Sequence, residues 1–438
     1  MPMSDARGLP VTATSAAEIA SIDSYIARLL RIDRGVEAIL EDSRTFPDTP
    51  MIQLAAASFC LFGQAHPADD AARGFLAATA PLLASATERE RRYHHMLTLW
   101  LQRDHLGALA AAEDITRQWP HDLLAAKIAE FFYYVLGQQH EGQRFLQHME
   151  RLAAIHANDP DFLAMHAFAH ELCGNVAEAR RVADRALRIE PRNPWAHHCV
   201  AHIHLRLGDT AEAVRVLESY LPLWMTGGRF AHCHNAWHLA VAYLETLNRE
   251  RAVALFERHV WGLTPDFVFE QCDAIALLWR LEMAGADVNH LWQPLAERAE
   301  THLGEHYMPF LDAHFVYALA RADRASVVSA WLDQVAERAA SQDAEARRSW
   351  ATVGRPLIEA CAAFARGDAA HSATLLDPVM PDVTIVGGSD AQVGLFRQTY
   401  FHALARCGRK ADARAYWDSV KGDRPASELD RYWYGLTA

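Results

Sequence analysis

The stretch DPDFLAMHAFAHELCGNVAEARRVADRALRIEP, from Asp159 to Pro191, is followed by a second stretch of the same design, NPWAHHCVAHIHLRLGDTAEAVRVLESYLPL, from Asn193 to Leu223. Gly174 and Gly208 occupy matching positions, 34 residues apart. On both sides of each glycine, alanines and leucines recur at spacings of three and four residues, which indicates helices that bury one face. The two stretches therefore predict consecutive helix–turn–helix units.

A 34-residue period, with a small residue at the turn and alanines in the second helix, is typical of tetratricopeptide repeats. Looser units of this kind follow one another along the chain, and β-branched runs are almost absent. The predicted fold class is all-α, a tetratricopeptide-like helical repeat array in which stacked helix pairs form an α–α superhelix. The looser units are at residues 103–120, around 137, and at 247–262, 367–378 and 408–420.

The domain organisation expected from this pattern is simple. Residues 1–20 are predicted to be a flexible N-terminal segment, and residues 21–438 a single α-helical repeat domain. Two stretches interrupt the helical period, a polar one near residues 341–348 and, at residues 380–394, MPDVTIVGGSDAQVG. Because the second holds a short β-like run beside two glycines, it is predicted to be an ordered loop.

Composition excludes several classes of protein. The 438 residues carry 42 basic and 55 acidic side chains, and the net charge of −13 argues against nucleic acid as a partner. The first residues lack a basic flank followed by an apolar run, and no stretch of eighteen uncharged apolar residues occurs. We therefore expect a cytoplasmic protein with no membrane association. The seven cysteines form no CxxC pair, and most are expected to be small buried residues.

Two pairs of histidines mark the first candidate site. His198 and His202 lie four residues apart on the predicted first helix of one unit, and His234 and His238 do so on the next. Residues at this spacing share one helix face, and first helices line the concave wall of a repeat array. Each pair could chelate a metal ion, although neither contains the glutamate of an HExxH motif. Equally, these could be core histidines that bond neighbouring polar groups.

Other residue types accompany the histidines. If metal were bound, Asp273 or Glu270 could add a carboxylate ligand. Trp237 lies within the second pair and could give a flat apolar wall to a ligand, or simply fill the core. Asp273 precedes Arg280 by two helical turns, so the two could form a salt bridge. Alternatively, Arg280 could hold a ligand carboxylate or phosphate while Asp273 orients a histidine.

Two weaker candidates complete the set. His170 shares a helix face with His166, so the spacing of four recurs one unit earlier. Ser389 belongs to GGSDAQ, where paired glycines could cradle an anion through backbone N–H groups. In contrast, His197 and His204 are expected to point away from the shared face and to be partly exposed.

The order of several signatures resembles that of the tetratricopeptide repeat protein 38 family over nearly the whole chain. These are WAHHCVAHIH from Trp195, HCHNAWHLAVAYLE from His232, ALLWRLEMAGADV from Ala276, DAHFVYALA from Asp312 and GGSDAQ from Gly387. The resemblance implies a strongly curved or closed helical repeat fold, and it implies no reaction. The residues at the family's motif positions are His198, His202, His234, Trp237, His238, Trp279 and Arg280.

The chain departs from the family pattern at two places. Asp390 stands where the family tends to have a histidine, and Val393 and Gly394 replace a charged pair. Leu205 occupies a position where the family favours an acidic residue. Chemistry that depends on those family residues is therefore not expected here.

Three functions remain open from the sequence. The first is a His- and Trp-lined internal pocket that binds a small molecule, with or without turnover. The second is a scaffold that holds a peptide partner in its concave groove, the common use of such arrays. The third is a hydrolase that uses a metal or paired histidines for acid–base chemistry. The sequence does not identify a cofactor or specify whether the protein is an enzyme.

Overall fold

The fold is all-α, as predicted. The computed structural model describes residues 3–341 and 344–438, and within them it contains 24 α-helices and one two-stranded sheet. Helix pairs joined by short turns recur from one end of this part of the chain to the other. The helical repeat array expected from the 34-residue period is therefore confirmed.

The α-helices are α1 (Ala16–Arg31), α2 (Ile39–Thr45), α3 (Pro50–Leu61), α4 (His66–Thr79), α5 (Glu88–Leu101), α6 (His105–Gln118), α7 (Leu123–Leu136), α8 (Gly142–Leu152), α9 (Pro160–Leu172), α10 (Val176–Ile189), α11 (Pro194–Leu207), α12 (Thr210–Trp224), α13 (Arg229–Glu245), α14 (Arg249–Leu255), α15 (Val268–Met283), α16 (Trp292–Glu300), α17 (Pro309–Arg321), α18 (Ala325–Ser341), α19 (Ala344–Arg347), α20 (Arg355–Ala365), α21 (Ala369–Leu376), α22 (Asp390–Arg406), α23 (Lys410–Lys421) and α24 (Glu428–Leu436).

Shorter helical segments and the sheet complete the secondary structure. The 3₁₀ segments are Val36–Ala38, Ala80–Ala84, Asn289–Leu291 and Met380–Val386, and the π-helical segments are Phe256–Val260 and Arg348–Gly354. The strands are β1 (Met3–Ser4) and β2 (Pro10–Val11). None of the described helices combines the length and the apolar composition needed to cross a membrane.

The two quoted stretches form equivalent helix starts. Asp159 Oδ1 accepts hydrogen bonds from the backbone N–H groups of residues 161 and 162, at 3.0 and 3.1 Å. Asn193 Oδ1 accepts the equivalent bonds from residues 195 and 196, at 3.0 and 2.9 Å. Gly174 and Gly208 both adopt positive φ values, +76° and +70°, at the turns that follow. The repeat in the sequence thus corresponds to helix-capping residues and turn glycines at equivalent positions of the two units.

The N-terminal segment is packed against the helices. Strands β1 and β2 pair antiparallel, with Met3 opposite Val11, and Val11 is buried. Asp5 forms a fully buried ion pair with Arg89 of α5 at 3.1 Å. These contacts replace the flexible segment predicted for residues 1–20, of which residues 1 and 2 lie outside the described part. Periodicity gave no signal for a hairpin whose strands have two residues each.

The stretch predicted to be an ordered loop at residues 380–394 is largely helical. Met380–Val386 forms a 3₁₀ helix that buries Val383 and Val386, and α22 begins at Asp390. Gly387 and Gly388, with φ values of +103° and +87°, make the turn between them. The β-branched run therefore forms a tight helix, which buries its apolar side chains in the core.

The chain forms two compact units. Unit 1 comprises residues 1–136, 141–199 and 223–231, and unit 2 comprises residues 137–140, 200–222 and 232–438. In unit 1 the helix pairs α3/α4, α6/α7 and α9/α10 pack together, and in unit 2 the pairs α20/α21 and α22/α23 do so. In a repeat array each helix pair packs on its neighbouring pairs, so contacts concentrate within groups of neighbouring pairs.

Candidate functional site

Unit 2 brings together most of the residues that the sequence singles out. Three imidazoles, which we call the histidine cluster, come from two helices: His202 from α11, and His234 and His238 from α13. The rings of His202 and His238 have centroids 4.7 Å apart, and those of His234 and His238 are 4.9 Å apart. His238 therefore contacts both other rings. The spacing of four residues on α13 placed His234 and His238 on one face, as predicted.

The first end of the histidine cluster is fixed by a carboxylate. His202 Nδ1 lies 3.0 Å from Asp390 Oδ1, and Arg206 Nη2 donates to Asp390 Oδ2 at 2.6 Å. Burial alone would raise the pKa of the Asp390 carboxyl group. The hydrogen bond from His202 and the positive charge of Arg206 outweigh burial, so that pKa is lowered and Asp390 is an anion at neutral pH.

A second carboxylate fixes the other end. His234 Nδ1 lies 2.8 Å from Oδ2 of Asp273, which α15 holds in the interior at 1% exposure. Since a carboxylate oxygen only accepts, His234 Nδ1 donates this hydrogen bond and the ring orientation is fixed. A carboxylate that orients an imidazole in this way makes the ring a better base or ligand. The structure thus gives Asp273 the orienting contact considered from the sequence.

The central imidazole is kept neutral. His238 is fully buried, and burial lowers the pKa of its ring well below the usual value. The neighbouring rings of His202 and His234 and the guanidinium of Arg280 lower that pKa further, because they oppose a positive charge there. At neutral pH His238 therefore offers one N–H donor and one lone pair.

Trp237 and Arg280 lie beside the histidine cluster. The Trp237 ring stacks on His234 with centroids 5.7 Å apart, and Arg280 Cζ lies 5.2 Å from the Trp237 centroid. Arg280 donates to two carbonyl oxygens, Ala391 O at 2.8 Å and Ala276 O at 3.3 Å. Its Nε and the indole nitrogen of Trp237 are buried and have no hydrogen-bond acceptor among the described residues.

The salt bridge considered between Arg280 and Asp273 is absent from the described residues, in which no carboxylate oxygen lies within 4.0 Å of this guanidinium. Burial lowers the pKa of Arg280 to about 9, and the negative charges of Asp273 and Glu245 only partly offset that effect. Arg280 is therefore a buried cation whose charge is incompletely balanced.

Two further candidates have structural contacts of their own. Ser389 is the N-cap of α22: its Oγ accepts from the Gln392 backbone N–H at 3.3 Å, and its own N–H donates to Gln392 Oε1 at 3.0 Å. Ser389, whose hydroxyl group the sequence offered to an anion, thus forms a reciprocal helix cap with Gln392. Glu270 accepts bonds from the loop at residues 262–264, including Gly262 N at 2.7 Å, and closes that loop rather than joining a ligand set.

The expectation that His197 and His204 are partly exposed is wrong, because both are buried. His197 Nδ1 accepts from the indole nitrogen of Trp224 at 3.1 Å, and its Nε2 donates to Pro191 O at 3.0 Å. His197 is a core histidine with both nitrogens bonded. The cysteines beside the pairs, Cys199 and Cys233, are buried as predicted, and burial raises the pKa of each thiol well above its usual value.

The two remaining candidates, His198 and His170, belong to unit 1. The His198 ring stacks on Trp195 with centroids 4.3 Å apart at 12°, and the Trp195 indole donates to Glu130 at 2.8 Å. His170 lies against His166, with ring centroids 4.6 Å apart. The spacing of four residues that pairs His166 with His170 on α9 is thus reproduced in their contact.

Two residues of the site in unit 2 were not identified as site residues from the sequence. Arg206 stands four residues after His202, so helix spacing alone could have found it. Asp390 was noted as a departure from a family pattern, but no feature of the sequence predicts its contact with α11. Pairs between distant repeats depend on how helices pack, which periodicity does not report.

No family model matches the chain. Among solved structures, the chain is similar to that titled "Structure of Naa15/Naa10 bound to HypK-THB", with 12% sequence identity and a TM-score of 0.25. The similarity covers 96% of this chain and 65% of the other, so the chain spans less than two thirds of that protein's length.

Proposed function

We propose that this helical-repeat protein binds a small molecule in unit 2, and that the ligand presents an oxyanion, a carboxylate or phosphate, to Arg280 and Trp237. One observation carries the proposal: Arg280 Nε and Trp237 Nε1 are buried donors with no acceptor among the described residues. Each unsatisfied buried donor costs about 1–3 kcal/mol, so such groups generally indicate a missing partner. An oxyanion would accept from both and would balance the guanidinium charge.

The surroundings suit such a ligand. Trp237 and His234 form a stacked, flat surface beside the guanidinium. A few fixed polar groups among aromatic side chains are typical of small-molecule sites. Because Trp237, His238 and Arg280 are at most 4% exposed, they favour an enclosed ligand over an extended peptide, the alternative from the sequence. Membership of the tetratricopeptide repeat protein 38 family remains part of the proposal.

Turnover is a second candidate, and the two His–Asp pairs favour it. An imidazole whose Nδ1 is held by a carboxylate can take a proton at Nε2 while the carboxylate stabilises the resulting cation. His202 with Asp390 and His234 with Asp273 both have this arrangement. The reaction class that fits best is acid–base hydrolysis of an ester or phosphoester.

Binding is tested by thermal unfolding with inorganic phosphate, acetate and succinate as probes. We expect at least one probe to raise the melting temperature of the wild type in a saturable way, since a ligand at 100 times its Kd adds about 2.7 kcal/mol. Arg280→Met should abolish that rise. The matched control is Arg348→Met, which removes an exposed guanidinium paired with Asp382 and should leave the rise unchanged.

Two outcomes would contradict the binding proposal: no probe stabilises the wild type, or Arg280→Met responds as the wild type does. Trp237→Phe gives an independent check, because it removes the indole donor and keeps a ring. We expect it to weaken binding of the same probe. Turnover is checked with p-nitrophenyl acetate and p-nitrophenyl phosphate, whose hydrolysis Asp273→Asn should slow and shift in pH profile.

A further inference from the structure

Unit 1 contains a second cluster of polar side chains, which plays no part in the site of unit 2. Glu150 comes from α8, and His166 and His170 come from one face of α9. Glu150 Oε1 lies 3.3 Å from Nε2 of His166 and 3.3 Å from Nε2 of His170. One donor atom from each residue lies within 4.8 Å of the other two. We propose that these three residues bind a divalent transition-metal ion, with zinc as the best match.

The distances suit a shared ion. In a tetrahedral zinc site with bonds of about 2.05 Å, neighbouring ligand atoms are about 3.3 Å apart. Both nitrogen-to-carboxylate distances have this value, and the hydrogen bond between His166 Nε2 and Glu150 Oε1 is longer than the roughly 2.7–2.9 Å typical of charge-assisted N–H···O bonds. The two imidazoles therefore approach a single carboxylate oxygen at the separation expected of ligands on one metal.

His170 provides a second, independent observation. It is 6% exposed, and neither ring nitrogen makes a hydrogen bond with any described residue. A buried imidazole normally has a partner for at least one nitrogen. The Nε2 of this ring lies 3.3 Å from Glu150 Oε1 without the geometry of a hydrogen bond, and a metal ion bound by both atoms would give His170 a partner.

The donor set and its position indicate the class of ion. Two imidazoles and a carboxylate suit zinc and also bind Fe²⁺ or Ni²⁺, whereas the absence of thiolate from this set disfavours Cu⁺. The Glu150 side chain is 52% exposed, so an ion could enter from solvent and keep water at its remaining positions. Glu178 on α10 adds nearby negative charge and is itself paired with Arg181.

The proposal is tested by adding Zn²⁺ or Co²⁺ alone to protein freed of metal by a chelator. Calorimetry should show that His166→Asn/His170→Asn binds one equivalent of Zn²⁺ fewer than the wild type. With Co²⁺, the visible absorption of a four-coordinate ion should decrease in the same variant. The matched control is His95→Gln/His371→Gln, which removes two exposed imidazoles from α5 and α21 and should keep the wild-type stoichiometry.

A single substitution keeps the test valid if the double variant unfolds. Glu150→Gln alters a half-exposed side chain and should weaken the affinity for this Zn²⁺ ion at least about ten-fold. Even the loss of an outer-shell partner lowers metal affinity about 10–100-fold. The proposal is overturned if the wild type binds no ion, or if the variants of all three residues retain its stoichiometry and affinity. Because oxyanion binding by Arg280 is measured separately, failure of either proposal leaves the other standing.

Discussion

Asp390, the first residue of α22, accepts from both His202 and Arg206, which are one turn apart on α11. This contact joins two helices that are far apart in the sequence and orients one imidazole of the histidine cluster. It also makes the stability of the fold depend on pH, because both bonds are accepted by the ionised carboxylate and not by the carboxylic acid.

Asp390→Asn should destabilise the protein by about 2 kcal/mol at pH 7, since hydrogen bonds to charged groups contribute about 1.5–3 kcal/mol. The pKa of Asp390 is lowered on folding, so its contribution is complete above the ordinary value of 3.8 and is lost as the pH falls through the folded value. Urea unfolding at several pH values should show the gap to the wild type narrowing below pH 3.8. The control is Asp382→Asn, in an exposed pair with Arg348, which should cost less than about 1 kcal/mol.

The equivalent caps Asp159 and Asn193 should not be interchangeable. Asp159→Asn keeps the cap and loses only a partly exposed ion pair with Arg7, a change of about 1 kcal/mol or less. Asn193→Asp places a second carboxylate against Asp161, to which Asn193 now donates at 2.8 Å, and should cost about 2 kcal/mol. Chemical denaturation of the two variants measures both losses of unfolding free energy. Equal costs would mean that the Asn193 to Asp161 bond contributes little.

Two glycine substitutions should change the stability of the protein in opposite directions. A Cβ atom on Gly228 would lie 1.8 Å from the backbone oxygen of Ile32, so Gly228→Ala must shift backbone and should cost more than about 2 kcal/mol. Gly74, inside α4, has no atom within 4 Å of an added Cβ, and Gly74→Ala should stabilise by about 0.5–1 kcal/mol through helix propensity. Melting temperatures that move in the same direction would contradict this.

His306 should make stability fall as the pH rises above neutrality. Burial would lower the pKa of this ring, but its Nδ1 lies 2.5 Å from Asp312 Oδ1, and this hydrogen bond and charge raise the pKa above 6.5. The stabilisation is complete below pH 6.5 and is lost as the pH rises through the folded pKa. His306→Gln should therefore flatten the decline of unfolding free energy as the pH rises above 6.5. His371→Gln, at an exposed position, should retain it.

Local features were predictable from the sequence, and contacts between repeats were not. The 34-residue period located α9 to α12, and spacing by four residues placed His234 beside His238 and His166 beside His170. These results depend only on the geometry of one helix and its turn. The pairing of His202 with Asp390 and the approach of Glu150 to α9 depend on packing between helices, for which a single sequence carries no spacing rule.

The predictions that the structure contradicts also concern contacts between elements that are distant in the sequence. Residues 3–15 lack helical periodicity, and their order comes from contacts such as Asp5 with Arg89, which a local pattern does not reveal. The run from Val383 to Val386 has β-branched residues, and tertiary packing overrides that propensity in favour of a 3₁₀ helix. His197 is buried because Trp224 bonds its ring, again a contact between different helices.

The Arg89 guanidinium depends on both ends of its surroundings, since Asp122 at 2.7 Å and Asp5 at 3.1 Å flank it with no exposure to water. Removing the residues before α1 would take Asp5 from Arg89 and Thr12 from Glu90, and it would leave Asp122 as the carboxylate paired with the buried guanidinium. Truncated forms that begin at α1 should therefore unfold at a lower temperature than forms that keep residue 3 onward, because they lack these buried bonds.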